Sequence, residues 1–112
     1  MKKTESLKLN KDFRRLYRIG KSFAGGYTVV YAARNRIGKN RLGLTVAKSV
    51  GKAVVRNRTK RLIRESYSHL EDKISLGNDF IIVARNRAAG KTQAQIEKDL
   101  RFVLDKLELI EK

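Results

Sequence analysis

Residues 48–64 (KSVGKAVVRNRTKRLIR) constrain the fold of this chain most, because they carry seven basic side chains and no acidic one. At about 100° of rotation per residue, a helix over residues 52–70 would divide its side chains into two arcs. The apolar or small arc holds Val55, Thr59, Leu62, Ile63, Ser66 and Leu70. The opposite arc holds Arg56, Asn57, Lys60, Arg61 and Arg64, with Arg58 at its edge. The segment therefore predicts a helix that buries one side and presents a basic ridge on the other.

This predicted basic helix lacks the acidic residues that usually stabilise an exposed helix. Arg56, Lys60 and Arg64 follow one another at intervals of four, where like charges repel. The pattern favours phosphate as the missing counter-charge, since arginine binds phosphate bidentately and also stacks on bases. The alternatives are a solvated basic surface, or a helix that binds calmodulin or a membrane surface. A helix that binds calmodulin or a membrane surface would need bulky aromatic residues on its apolar arc. The only aromatic residue there is Tyr67, at the edge of the arc.

The positive charge is concentrated in the first part of the chain. Residues 1–70 contain 19 Lys and Arg but 3 Asp and Glu, whereas residues 71–112 contain 8 of each kind. The whole formal net charge of +16 thus belongs to the first 70 residues. So one-sided a charge distribution indicates a polyanionic partner, and nucleic acid is the commonest one.

The length of 112 residues suits a single domain that spans 1–112, and its charge predicts that this domain binds nucleic acid. The chain has no Cys, no apolar stretch near the 20 or so residues that span a bilayer, and no apolar run at its N-terminus. We therefore expect a cytoplasmic protein without a membrane partner.

Hydrophobic periodicity predicts three helices and three or four strands. Asn10 is the expected cap of a short helix over residues 11–19, and Thr92 with Gln95 forms a capping box for a last helix that reaches about residue 110. Strands are expected over residues 22–34, 41–47 and 79–85, and Gly25-Gly26 bends the first or breaks it in two. With the basic helix between the second and third of these strands, the order indicates an α+β fold with helices on a mostly antiparallel sheet.

Aromatic residues lie among the bases near the start of the chain. Phe13 and Tyr17 are four apart on the first predicted helix, and Tyr27 and Tyr31 lie on the first predicted strand. Aromatic side chains beside basic ones form stacking platforms for single-stranded nucleic acid. Rings at this spacing serve equally well as an apolar core, and the spacing alone leaves both readings open.

No pattern in the sequence indicates catalysis by the chain itself. Gly51-Lys52 is not a phosphate-binding loop, because Val46 and Ala53 stand where that motif needs Gly and Ser or Thr. His69 is the only histidine, and the acids of the first 70 residues are scattered. No spacing of residues indicates a metal site. The sequence therefore predicts a binding protein with no catalytic residue and no metal ligand.

The stretch RLGLTVAKSVGKAVVRNRTKRLIRE resembles the signature of the bacterial ribonuclease P protein subunit. Arg56-Asn57-Arg58, Lys60, Arg61 and Arg64 match the RNR motif of that family. The resemblance includes NKDFRRLYRIGKSF, the residues Gly43 and Lys48, and GNDFIIVAR, so that it runs from about Leu7 to Leu107. Tyr17 departs from the Phe that family members often carry, a change that keeps an aromatic ring.

The resemblance implies a fold and a role. The fold would be a two-layer α/β sandwich with three helices, a mostly antiparallel sheet of about four strands and a left-handed βαβ crossover, akin to a domain of a small-subunit ribosomal protein. The chain would be the accessory subunit of a ribonucleoprotein nuclease, an endonuclease that removes the 5′ leader of precursor tRNA. The RNA subunit, with bound Mg²⁺, would catalyse the cleavage, and no small-molecule substrate is implied.

The resemblance also assigns residues to two RNA partners. The catalytic RNA would bind Lys48, Lys52, Arg56, Asn57, Arg58, Lys60, Arg61 and Arg64. The single-stranded leader would bind a cleft lined by Phe13, Tyr17, Val29 and Tyr31. Composition alone also permits a ribosomal or ribosome-assembly protein. A nuclease that acts without RNA is the third hypothesis, and the lack of a catalytic cluster opposes it.

Overall fold

The computed structural model describes residues 3–111. Its strands are β1 (Thr4–Ser6), β2 (Lys21–Ala24), β3 (Thr28–Arg34), β4 (Asn40–Thr45) and β5 (Asn78–Ala84). Its helices are α1 (Asn10–Ile19), α2 (Ala53–Leu70) and α3 (Gln93–Lys106). Short 3₁₀ turns lie at Lys48–Val50, Glu71–Lys73 and Asn86–Ala88. The α+β class and the three helices are as the sequence predicts.

The strands form one sheet in the order β1-β4-β5-β3-β2. β3 pairs antiparallel with both β2 and β5, whereas β4 pairs parallel with both β1 and β5. The sheet is therefore mixed, and it has one strand more than the expected four or so. β4 and β5 are parallel because α2 carries the chain back across the sheet between them. The left-handedness of this crossover stays a prediction.

α2 and α3 cover one face of the sheet and form the main core with it. The buried side chains of α2 include Leu62, Ile63 and Leu70, as its predicted apolar arc requires. Those of α3 are Ile96, Leu100, Val103 and Leu104. β5 is buried at every position except Val83, which is half-buried, and this is the pattern of a central strand. The basic arc of α2 is thereby held on the outside of the molecule.

Tyr67 is fully buried, although the sequence placed it at the edge of the apolar arc. Its hydroxyl lies 2.9 Å from Oγ1 of Thr4 in a hydrogen bond. Burial raises the pKa of Tyr67 to about 12, although the hydrogen bond to Thr4 opposes this shift. The hydroxyl finds this partner because the short strand β1, which the sequence did not predict, adds to the edge of the sheet beside β4.

The predicted strand over residues 22–34 is a hairpin of β2 and β3. The carboxylate of Asp99 on α3 accepts hydrogen bonds from the backbone N–H groups of Gly26, Tyr27 and Thr28 at 2.8–3.1 Å. A Cβ atom at Gly25 would lie 2.5 Å from Oδ1 of the same Asp99. The chain therefore turns tightly at Gly25-Gly26, and α3 holds the turn in place.

The helix ends partly differ from those expected. The capping box of Thr92 and Gln95 is present at the start of α3. Asn10 is not a cap, because it is already the first residue of α1, and Leu9 precedes the helix without a side-chain capping bond. α3 ends at Lys106 rather than near residue 110, where Ile110 instead forms a β-bridge with Ile74.

Candidate nucleic-acid interface

α1 lies across the second face of the sheet, above a single row of paired residues. Gly43 of β4 pairs with Ile81 of β5, which pairs in turn with Tyr31 of β3, so the three residues share that face. α1 contacts the row with one residue for each strand: Phe13 on Gly43, Leu16 beside Ile81, and Tyr17 on Tyr31.

The aromatic contacts of this row are close. The ring centroids of Tyr17 and Tyr31 are 4.9 Å apart, and the rings meet edge to face at 79°. A Cβ atom built on Gly43 would lie 2.5 Å from Cζ of Phe13. Only glycine therefore lets the ring of Phe13 approach the backbone of β4 this closely.

α1 covers the second face incompletely, at the place where the resemblance puts the leader cleft. Beside the helix, Val29, Tyr31 and Val83 remain half-buried, and Tyr17 is 44% exposed. The structure thus brings Phe13, Tyr17 and Tyr31 together and places Val29 on the same face, two residues along β3 from Tyr31. Phe13 and Tyr31 also pack against a small apolar cluster of Leu7, Leu16 and Ile81. These rings therefore take part in apolar packing, and their use as a stacking platform for nucleic acid stays a prediction.

Tyr27 does not belong to the cleft. It precedes β3 and packs against the main core, and the ammonium of Lys91 lies 5.4 Å from its ring centroid. The tight turn held by Asp99 includes Tyr27, so the residue is not part of the strand. Strand periodicity along the sequence does not reveal this turn.

The outer side of α2 carries the basic residues of the RNR motif. Asn57, Arg58, Arg61 and Arg64 are exposed, and Arg56 and Lys60 are half-buried. Within residues 3–111, none of these basic side chains takes part in an ion pair. Their charge is therefore uncompensated and available to an anionic partner.

The basic side of α2 contains two rows. Arg56, Lys60 and Arg64 follow one another at intervals of four and form one row. Arg58 and Arg61 form the other, and Nη1 of Arg58 donates a hydrogen bond to the backbone carbonyl of Lys91 at 3.2 Å. The second row thus borders the segment that leads into α3.

Lys48 and Lys52 extend this surface at the start of α2. Lys48 lies in the 3₁₀ turn Lys48–Val50, Lys52 immediately precedes the helix, and both side chains are exposed. Oγ of Ser49 donates to Oδ1 of Asn86 at 2.9 Å, which brings the turn Asn86–Ala88 alongside. Arg87, an exposed base in that turn, lies beside this surface, and the sequence gives no signal for it because it belongs to the part of the chain that has no net charge.

Charged residues fasten α1 to the sheet. Nε and Nη2 of Arg41 each donate a hydrogen bond of 2.7 Å to the carboxylate of Asp79, which also accepts one of 2.9 Å from Asn35. From α1, Asp12 lies 3.8 Å from Arg41 and Arg15 lies 4.0 Å from Asp79. α1 is therefore positioned by an ion-pair network as well as by the apolar contact of Leu16.

The network shifts the pKa of both central groups. Burial alone would raise the pKa of Asp79, but the hydrogen bonds from Arg41 and Asn35 and the charges of Arg41 and Arg15 outweigh it, so that the pKa lies below its usual value. The hydrogen bond to Asp79 raises the pKa of Arg41. Both groups remain charged at neutral pH.

No group of three or more His, Cys, Asp or Glu within residues 3–111 could hold a metal ion. His69 lies at the end of α2, where its Nδ1 is 2.6 Å from Oε1 of Glu97. In the same part of the chain, no helix is long and apolar enough to cross a membrane.

Comparison with known proteins decides the family. The Ribonuclease P family model matches residues 1–108. The chain belongs to the ribonuclease P protein family. The ribonuclease P protein component of Clostridium acetobutylicum is 43% identical over 110 residues, which cover 96% of this chain and 92% of that protein. That of Clostridioides difficile is 38% identical over 108 residues, which cover 96% and 95%.

Solved structures of ribonuclease P proteins share the fold. The Staphylococcus aureus RNase P protein has a TM-score of 0.87 and 39% identity, and the match covers 95% of this chain and 97% of that one. The Thermotoga maritima protein has a TM-score of 0.83 and 29% identity, with coverage of 91% and 96%. The resemblance drawn from the RNR motif is thereby confirmed, and so is the α+β fold. Membership makes the chain a protein component of ribonuclease P and implies partnership with the RNA of that enzyme.

Proposed function

We propose that this chain, as one RNA-binding domain, binds the catalytic RNA of ribonuclease P and the 5′ leader of precursor tRNA, and so assists removal of the leader. One observation carries the proposal: partly exposed rings and an uncompensated basic helix lie on two adjoining parts of one small molecule. Membership in the family supports it. The rings suit an unpaired strand, and the basic helix suits a phosphate backbone.

The cleft between α1 and the sheet has the chemistry that an unpaired leader requires. Stacking on Phe13, Tyr17 or Tyr31 accepts any base, because every base has a π face. Val29 would add apolar contact on the same face. A mature tRNA has no leader and would leave the cleft empty, so the cleft distinguishes the precursor from its product.

The basic surface would bind the catalytic RNA. Its members are Lys48, Lys52, Arg56, Asn57, Arg58, Lys60, Arg61 and Arg64, and the exposed ones carry no internal counter-charge. Each phosphate contact releases counter-ions, so that affinity should fall steeply with salt. In the folded complex these bases would reduce the repulsion between the two RNA molecules.

In this proposal, cleavage is catalysed by the RNA subunit with its bound Mg²⁺, and the protein supplies no reacting group. Its contribution is greatest where Mg²⁺ is scarce and phosphates repel one another most strongly. We place the protein in the cytoplasm, with precursor tRNA as the substrate of the assembled enzyme.

The decisive test is cleavage of a precursor tRNA by a bacterial ribonuclease P RNA at low Mg²⁺, with and without the chain. The proposal expects a large gain in rate from the protein and no cleavage by protein alone. No gain from a protein shown to be folded would contradict it and would leave a basic RNA-binding protein. Cosedimentation with ribosomal particles would then favour the ribosome-associated alternative.

A second candidate function has one observation in its favour. A Staphylococcus aureus RNase P protein variant, 40% identical to this chain with a TM-score of 0.87, is described as having defective mRNA degradation activity. In this chain, residues 3–111 offer no group of acids and histidines that could hold a metal. The arm of the cleavage test with protein alone, repeated on an mRNA, decides whether the chain degrades RNA by itself.

A further inference from the structure

A concavity of about 190 Å³ joins the cleft to the basic helix at the edge of β4. Its lining includes Phe13 from α1, Gly43 and Leu44 from β4, Ser6 from the end of β1, and Lys60 and Arg64 from α2. α1 and α2 cover opposite faces of the sheet, so residues from the two helices meet only where the sheet edge is open. The two surfaces assigned above to different RNA partners are continuous at this point.

The edge of β4 is open here because β1 is short. β1 pairs with β4 from Thr4 to Ser6, and its last partner is Leu42. The backbone N–H of Leu7 still donates to the carbonyl of Leu42 at 2.9 Å, and the chain then leaves toward α1. β4 continues beyond this point to Thr45, paired with β5 on its other side. Within the described residues, the segment from Gly43 to Thr45 thus has a strand on one side only.

The charges at this edge are all positive. Lys60 and Arg64 are one helical turn apart, and neither forms an ion pair within residues 3–111. No acidic residue lines the concavity. Two bases at this spacing suit one phosphate, with a bidentate contact from Arg64 and a point charge from Lys60.

The opposite wall suits the rest of a nucleotide. The ring tip of Phe13 rests on Gly43, where no side chain separates them, and Leu44 follows on the same strand. A base or ribose could pack on the ring while its phosphate stays with the two bases of α2. Oγ of Ser6 adds a hydroxyl group for a ribose or phosphate oxygen.

We propose that this concavity binds one nucleotide of the 5′ leader, with its phosphate on Lys60 and Arg64 and its base or ribose against Phe13. The inference rests on the proposed function and refines it. An unpaired strand stacked in the cleft at Tyr17 and Phe13 is carried over the open edge of β4 onto α2. The catalytic RNA is the other possible source of such a nucleotide, but the leader is favoured because Phe13 already belongs to the cleft.

The basic side of α2 is therefore shared between two RNA molecules. Lys60 and Arg64 face the concavity, so these two residues move from the surface assigned above to the catalytic RNA into the leader site. Arg58, which is hydrogen-bonded to the segment before α3, and Arg61 keep the catalytic RNA as their partner. This division predicts that equal losses of charge from the two rows have different consequences.

The first experiment compares two double variants. One carries Lys60→Gln and Arg64→Gln, and the other carries Arg58→Gln and Arg61→Gln. Both remove two positive charges from the same helix. Each holoenzyme is assembled with saturating protein, and its Kd is measured for a precursor tRNA and for the mature tRNA. We expect the first variant to lose roughly tenfold in affinity for the precursor but little for the mature tRNA, as charged hydrogen bonds to a single phosphate predict. The second variant should instead lose affinity for the catalytic RNA.

The second experiment locates the phosphate. Leader phosphates are replaced one at a time by uncharged methylphosphonate, and each substrate is tested with wild-type protein and with the Lys60→Gln/Arg64→Gln variant. At one leader position the wild-type protein should lose affinity, and the variant should show no further loss. Such a non-additive pair identifies a direct contact.

Two results would overturn the inference. One is a Lys60→Gln/Arg64→Gln holoenzyme that weakens precursor and mature tRNA equally, or that loses affinity mainly for the catalytic RNA. The other is that, at every leader position, the methylphosphonate lowers affinity by the same factor for the variant as for the wild-type protein. Failure of the proposed function would look different, because wild-type holoenzyme itself would then show no preference for the precursor over the mature tRNA.

Discussion

Arg41 and Asp79 stand opposite each other on β4 and β5 and are joined by two hydrogen bonds, each 2.7 Å long. Through Asp12 and Arg15, the same pair reaches the helix that forms one wall of the cleft. The carboxylate of Asp79 is 1% exposed, whereas Arg41 keeps 27% of its side-chain surface. The wall of the cleft is therefore fastened by charge at a place where water hardly screens it.

Asp79→Asn should destabilise the fold by about 2 kcal/mol or more at neutral pH, because Arg41 would lose a buried partner. The pKa of Asp79 is lowered in the folded chain, so its ionised form contributes stability that is present above the ordinary value near 4 and is lost as pH falls below it. Urea unfolding of both proteins from pH 7 to pH 2.5 measures this. The difference between them should shrink at the acid end, and a difference that is constant across the range would contradict the assignment.

Gly43→Ala should disturb the cleft without disturbing the basic helix. The added methyl group would meet the ring of Phe13 at about the 2.5 Å separation described above, so the ring or α1 has to shift. We expect a several-fold rise in the Kd for precursor tRNA and an unchanged Kd for the catalytic RNA. Gly26→Ala serves as the control, because a Cβ atom there would meet only an ordinary contact of 3.6 Å with Oδ1 of Asp99.

Phe13→Ala and Tyr17→Ala should each raise the Kd for precursor tRNA and barely change that for mature tRNA. Loss of one stacked base corresponds to about 1–3 kcal/mol. Tyr17→Phe keeps the ring and should behave like the wild type. If the alanine variants weaken both ligands equally, the leader does not lie in this cleft.

Arg58→Ala combined with Arg61→Ala should weaken binding to the catalytic RNA and make it less sensitive to salt. Two lost phosphate contacts correspond to a decrease of about 1.5–2 in the slope of log affinity against log salt. Lys98→Ala with Arg101→Ala removes the same charge from an exposed side of α3 and provides the matched comparison. Identical salt slopes for the two double variants would count against the assigned surface.

Sulfate or phosphate should raise the melting temperature of the isolated protein. The concentrated positive charge of the first 70 residues opposes the compact state, and anions that bind the folded basic surface stabilise it by mass action. Sodium chloride at matched ionic strength separates simple screening from binding. A melting temperature that responds no more to sulfate than to chloride would contradict bound-anion stabilisation.

The periodic elements of this fold could be predicted from the sequence. The arcs of α2, the apolar stripe of α3 and the buried run of β5 lie as expected, because burial of one face imposes a period of 3.6 or continuous apolar residues. The capping box of Thr92 and Gln95 is equally local, since its donors and acceptors lie within one turn.

Elements that depend on distant partners could not be predicted in this way. β1 is three residues of polar sequence (TES), and it is a strand only because β4 offers a free edge. The hydroxyl of Tyr67 has a partner because that added strand brings Thr4 to it. Tyr27 packs against the main core at the turn that Asp99, 72 residues away, binds before β3. None of these contacts leaves a signal at short range.

The sequence by itself determined the charge of this protein, its helices and the family signature at Arg56-Asn57-Arg58, because each depends on residue identity or on spacing along one element. Only the tertiary structure decided that Gly43 lies under Phe13, that Arg41 and Asp79 fasten α1, and that Lys60 and Arg64 reach the cleft across an open edge. These relationships join residues that are 17 to 64 positions apart in the chain. Sheet order and the packing of helices bring them together, and local propensity does not specify either of these.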